Sequence, residues 1–256
     1  MPNTYFASDF HLGTDARLTS REREKQIVRW LHAVAPDAEA IYLVGDLFEF
    51  WYEYRYVVPK GFNRFLGTLA ELSDGGLPIY AFTGNHDLWM FGYFEQELGI
   101  PVYRQPIQRI IGNKSFFIGH GDGLGPGDMG YKRMKKVFAN PAAQWMFKWL
   151  HPDVGGAIAH LASQKSRAAT PESERGWLGE EHEWLLQYCL RKIEQGVHAD
   201  YFVFGHRHLP VDWPLPNGSR YINLGEWMHA CSYAVFDGEN MELRFWIEES
   251  KAVRHE

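Results

Sequence analysis

Five times along this chain a short apolar run ends in a turn that carries a carboxylate, an amide or an imidazole. Tyr5-Phe6-Ala7 leads into Ser8-Asp9-Phe10-His11, and Ile41-Tyr42-Leu43-Val44 leads into Gly45-Asp46. The run ending at Phe82 precedes Gly84-Asn85-His86-Asp87, and the run ending at Ile118 precedes Gly119-His120-Gly121-Asp122. Tyr201-Phe202-Val203-Phe204 precedes Gly205-His206-Arg207-His208. Runs of this length, rich in β-branched and aromatic residues, read as buried strands. Open α/β sheets collect ligands beyond the carboxyl ends of their strands. One such turn is an ordinary loop. Five of them call for a fold that brings five strand ends together around polar chemistry.

Between the strands, Arg21 to Ala35 has helical spacing, with Ile27, Leu31 and Val34 on one face. Ser20 is the expected N-cap and Pro36 the stop. Phe62 to Leu72 and Met90 to Leu98 read as two further helices. Strands alternating with helices imply parallel crossovers. Gly112-Asn113 turns a hairpin, and three closing strands end at Leu224, Phe236 and Phe245. Lys251 to Glu256 is an expected frayed tail. From about Asp128 to Gln195 a mainly helical stretch interrupts the strand pattern. The expected organisation is a core of residues 1–127 and 196–256 with a helical cap, residues 128–195, inserted into it.

A formal net charge of −6 argues against broad nucleic-acid binding. Cys189 and Cys231 have neither metal-ligand nor redox spacing, so reduced thiols and a cytoplasmic setting are expected. No leader peptide and no membrane-spanning run is evident, and no protein partner is implied.

Imidazole mixed with carboxylate suits Mn²⁺, Fe, Co²⁺ or Zn²⁺, and suits Mg²⁺ or Ca²⁺ poorly. No cysteine joins the set, which argues against a structural zinc site. Two ions about 3.5–4 Å apart clamp the attacking and leaving oxygens of a phosphoryl group. A shared carboxylate holds ions that close, and Asp46 is the expected bridge.

Asp9-x-His11, Gly45-Asp46, Gly84-Asn85-His86-Asp87, Gly119-His120-Gly121 and Gly205-His206-Arg207-His208 resemble the five signature blocks of the calcineurin-like metallophosphoesterases. The resemblance implies an α/β fold, a four-layer α/β/β/α sandwich of two mixed sheets, here with the inserted helical cap. It implies a first metal on Asp9, His11, Asp46 and His208, and a second on Asp46, Asn85, His120 and His206. The expected cofactors are two divalent ions, Mn²⁺ ahead of Fe or Zn²⁺. Water activated between them attacks phosphorus in line. His86, paired with Asp87, steadies the developing charge or protonates the leaving oxygen.

His120-Gly121-Asp122-x-Leu124 continuing to Asp128, with an insertion of this place and size, is similar to a narrower group. Those hydrolases cleave UDP-2,3-diacylglucosamine to UMP and a diacylglucosamine 1-phosphate in lipid A biosynthesis. In their better-known form an Arg follows the Asn of the third block, where this chain has His86. From Tyr131 to Trp149 the insertion is basic and aromatic with no acidic residue. Asp128, Lys132, Lys135, Phe138, Trp145 and Trp149 are therefore candidate contacts for acyl chains, phosphates and headgroups. The expected partners are a lipid-linked sugar nucleotide and an anionic membrane surface, the inner face of the inner membrane. Two other classes stay open. One is a soluble nucleotide pyrophosphatase or phosphodiesterase, in which the cap aromatics only pack on the core. The other is a non-catalytic scaffold on the same fold.

Overall fold

The computed structural model describes residues 2–125, 129–169, 176–177 and 179–246. Asp128 and the tail at 251–256 lie outside them. One sheet contains β1 (Asn3–Ala7), β2 (Ala38–Val44), β3 (Ile79–Phe82) and β4 (Val102–Tyr103), all parallel. β10 (Ser232–Phe236) and β11 (Met241–Phe245) extend it antiparallel beyond β1. The second sheet has the order β5 (Ile107–Ile111), β6 (Lys114–Ile118), β7 (Tyr201–Phe204), β9 (Arg220–Leu224), β8 (Pro210–Pro214). In it β6, β7 and β9 are parallel.

Strand alternation makes the layers, because successive side chains point to opposite faces. Phe6, Tyr42 and Val44 meet Phe116, Val203 and Ile222 between the sheets. Their neighbours Ile41 and Leu43 face Ile27 and Leu31 of α1 (Ser20–Val34) and Phe65 of α2 (Asn63–Asp74). On the far side, Phe202 and Phe204 pack on Leu185, Leu186 and Cys189 of α7 (Trp184–Glu194). The result is the α/β/β/α sandwich. Each such side chain, fully buried, contributes about 1.5–3 kcal/mol relative to exposure.

Three local readings change. The N-cap of α1 is Thr19, which forms a reciprocal capping box with Glu22, while Ser20 Oγ accepts from Gly13 N at 2.7 Å. The third helix is only α3 (Tyr93–Glu97), because Glu53 Oε2 accepts from Gly92 N at 2.7 Å and Tyr93 N at 3.0 Å and fixes its start. The insertion contains α4 (Met129–Phe138), α5 (Pro141–Lys148) and α6 (Pro152–Ala169). α7, expected within the cap at 128–195, instead covers the second sheet, since its apolar face is buried there. α5 joins the core through Phe147, whose ring lies 4.8 Å from that of Tyr52 and 4.6 Å from that of Trp89. No helix among the described residues is long and apolar enough to cross a membrane, and both cysteines are free and buried.

Candidate metal centre

All five polar turns leave the carboxyl ends of β1, β2, β3, β6 and β7. The turns after β1 and β2 zip together: Asp9 N donates to Gly45 O, and His11 N to Asp46 O, each at 3.0 Å. Asp9, His11, Asp46, His206 and His208 all have left-handed backbones, with φ between 45° and 68°. Such conformations cost of order 1–3 kcal/mol each and persist only where the surroundings hold them. Arg23, fully buried on α1, is one such support, donating to the carbonyls of Phe10, His11, Thr14 and Leu18. The glycines of the turns give room. A Cβ on Gly45 would lie 2.6 Å from His120 Nδ1, and one on Gly84 would strike the Asp46 carboxylate.

Asp9, His11, Asp46 and His208 bring one ligand atom each to a common point, and Asp46, His120 and His206 do so at a second. Asp46 belongs to both sets. Nε2 of His11 and Nε2 of His208 face each other at 3.0 Å, and His208 Nε2 lies 3.1 Å from Asp9 Oδ1. His120 Nε2 lies 3.2 Å from Asp46 Oδ2, while its Nδ1 sits 2.8 Å from Val44 O. A ring whose far nitrogen donates to a carbonyl presents its near nitrogen as a metal ligand. Among the described residues, Asp9 Oδ1, His120 Nε2 and the Asn85 side-chain oxygen are buried with no hydrogen bond, the first two meeting only other members of the cluster. Buried polar atoms are rarely left so. Carboxylate, amide and imidazole ligand atoms converging mainly on one another fit a pair of divalent ions.

In the polypeptide alone, burial opposes every charge here, and opposite charges overcome it at Asp9, Asp46, His11 and His120. Burial would raise Asp9, but His11 and His208 hold it well below the usual carboxylate value. Burial would also raise Asp46, but His120 and His86 hold it far down. Burial would lower His11 and His120, yet Asp9, Glu49 and Asp46 push them up to about 10. His206 is brought down to about 4 by burial and by the charge of His120.

His86 N donates to Asp46 Oδ1 at 2.8 Å, and its ring Nδ1 lies 3.0 Å from Glu49 O. Burial lowers its pKa, against the Asp46 charge. Asp87, expected as the partner of His86, instead accepts from Gly84 N at 2.6 Å and Leu47 N at 2.7 Å. It braces the two turns because both of its oxygens are taken by backbone donors. Glu49, unnoticed in the sequence, sits buried 3.3 Å from His11 Nδ1. In the cap, Lys135 pairs with Asp122 and Lys132 donates to Gly125 O. Phe138 is half-buried with its ring 5.3 Å from that of Trp89, whereas Trp145 and Trp149 are 61% and 73% exposed.

Residues 3–210 match the family model described as calcineurin-like phosphoesterase. A Porphyromonas gingivalis protein named UDP-2,3-diacylglucosamine hydrolase is 38% identical over 252 residues, covering 93% of this chain and 95% of that one. A protein of the same name from Shewanella piezotolerans is 26% identical, covering 94% and 96%. Among solved structures, an archaeal phosphodiesterase superposes with a TM-score of 0.48 at 13% identity, covering 95% of this chain and 99% of that one.

Proposed function

The chain belongs to the calcineurin-like phosphoesterase family, and we propose from that premise that it hydrolyses the pyrophosphate bond of UDP-2,3-diacylglucosamine. The products are UMP and 2,3-diacylglucosamine 1-phosphate. The observation that carries the substrate is the similarity to the Porphyromonas gingivalis hydrolase, which runs through 93% of the chain rather than through the signature turns alone.

Asp9, His11, Asp46 and His208 would hold one divalent ion and Asp46, Asn85, His120 and His206 the other, with Mn²⁺ the expected occupant. Bound, the two ions supply activation of water and neutralisation of phosphoryl charge. The chain supplies the rest. Asp46 shares its carboxylate between both ligand sets and also anchors His86 N. With Nδ1 of His86 facing Glu49 O, its Nε2 is left to hold or give a proton at a phosphoryl or leaving oxygen. His86→Ala should lower kcat by about 10²–10⁴-fold, the range for a positioned acid, with the parent's metal content. Loss of one ion would make His86 a ligand instead.

The cap would read the lipid. Its helix α6 lines, through Pro152, Gly156 and Ala157, a cleft of about 820 Å³ whose other wall mixes apolar Leu12, Phe50 and Phe62 with charged Arg21 and Lys60. Its wall starts at Leu12, next to His11, which suits acyl chains running away from the ions. Lys135 pairs with Asp122, itself two residues from His120, which supports a phosphate-facing role. Trp145, Met146, Trp149 and Leu161 are 60–73% exposed, which supports a peripheral place on the inner face of an anionic membrane. The test compares UDP-2,3-diacylglucosamine with unacylated UDP-sugars and dinucleotides under Mn²⁺. Preference for the acylated substrate is expected. Equal rates on the unacylated ones would make the protein a soluble nucleotide pyrophosphatase.

A further inference from the structure

Glu49 carries a side chain that the chemistry above does not use. Its carboxylate is buried, and a buried carboxylate is retained only where it is paired. The backbone fixes its place: Leu12 N donates to Leu47 O at 3.0 Å, and Glu49 N donates to Leu12 O at 2.8 Å. From there Oε2 lies 3.3 Å from Nδ1 of His11. Glu49 O lies 3.0 Å from Nδ1 of His86. Oε1 accepts from Ser163 Oγ, on cap helix α6. One residue thus touches a metal-set histidine, the histidine of the third turn, and the cap.

His11, Glu49 and His86 also cluster closely enough to suggest a third ion. The ring chemistry opposes that reading. Nδ1 of His86 faces a carbonyl at hydrogen-bond distance, so it carries a proton and has no lone pair for a metal. Nδ1 of His11 has no completed hydrogen bond among the described residues, and Glu49 Oε2 is the acceptor beside it. His120 solves the same problem with Val44 O. For His11 the structure uses a charged group instead, the stronger acceptor.

We propose that Glu49 is a positioning residue, which holds His11 in the tautomer that presents Nε2 to an ion and, through Ser163, registers cap helix α6 on the metal centre. This rests on the assignment of His11 as a ligand. A merely structural carboxylate would change stability and leave His11 untouched. The test uses Mn²⁺ binding by titration calorimetry, and the His11 Nδ1–H resonance of the Zn²⁺-loaded protein, neither of which involves substrate. Glu49→Leu keeps the bulk and removes the acceptor. It should weaken one Mn²⁺ site by about 10–100-fold, the usual effect of losing such a partner, and abolish the protected Nδ1–H signal. Glu49→Gln, which keeps an acceptor oxygen, should recover part of that affinity. Ser163→Ala should weaken the same site by less than Glu49→Leu. Wild-type affinity in folded Glu49→Leu overturns the proposal, as does unchanged affinity in Ser163→Ala, which decides alone if Glu49→Leu fails to fold. Failure of the wild-type protein to take up two ions would instead overturn the metal assignment beneath it.

Discussion

Asp46 has a left-handed backbone at φ 51°, and asparagine is among the few residues that accept it. Asp46→Asn should therefore keep the fold while losing metal and nearly all turnover. Full occupancy with normal turnover would show that Asp46 bridges nothing. The histidines give a second prediction. With His11 and His120 pushed up to about 10 in the polypeptide alone, both rings carry protons at neutral pH. Ligation needs neutral imidazole, so metal uptake at pH 7 should release about two protons. Calorimetry in buffers of different ionisation enthalpy counts them, and a count of zero would mean the rings are already neutral. The sign for stability follows. A pKa raised above 6.5 stabilises the metal-free fold fully below about pH 6.5 and progressively less as pH rises towards 10. The convergence of Asp9, His11, Asp46, His120, His206 and His208 could be anticipated because each sits in a turn directly after an apolar run. Glu49 could not, because Phe48-Glu49-Phe50 reads as a solvent-facing charge between core aromatics. Arg23, in Arg21-Glu22-Arg23-Glu24, likewise reads as an exposed helical charge, and only the fold of the 10–18 segment shows its four carbonyl partners.

At the scale of elements, periodicity found the central strands and the two edge strands that belong to hairpins, β5 and β11, and missed the edge strands β4 and β8. β4 has two residues, and β8 begins and ends with proline, a pattern confined to edge strands. Helix starts depend on which side chain wins the first amides. Ser20 has the right chemistry for a cap, but three residues beyond it stands Arg23. Three residues beyond Thr19 stands Glu22, which completes the reciprocal box. Thr19→Ala should cost about 1 kcal/mol in urea unfolding, the usual loss for such a cap. Ser20→Ala, which gives up one exposed bond to Gly13 N, should cost less. The reverse order would return the cap to Ser20.

At the scale of the molecule, the two-sheet arrangement was legible only through the resemblance. β6 and β7 pair in parallel although more than 80 residues separate them, and nothing local in either strand records that pairing. The faces of the proposed cap could not be read from the sequence, since its aromatics divide. Phe138 and Phe147 turn inward onto Trp89 and Tyr52. Trp145 and Trp149 stay outside, their rings 6.0 Å apart, beside exposed Lys148. That division separates stability from the proposed membrane contact. Replacing both exposed tryptophans with alanine should leave stability within about 0.5 kcal/mol, as for surface changes generally. It should still weaken binding to vesicles that contain anionic lipid. Each basic residue near such a surface is worth about 1 kcal/mol, roughly fivefold in binding. Lys136→Glu with Lys148→Glu, both exposed, should therefore reduce vesicle binding further, most at low salt. Turnover of bis-p-nitrophenyl phosphate should be unchanged in all of these variants, while KM for the acylated substrate presented in vesicles should rise. Vesicle co-sedimentation beside paired kinetics decides it. Wild-type vesicle binding by the double tryptophan variant would mean that this face does not meet the membrane. A parallel fall in both activities would mean that the tryptophans support the metal centre instead.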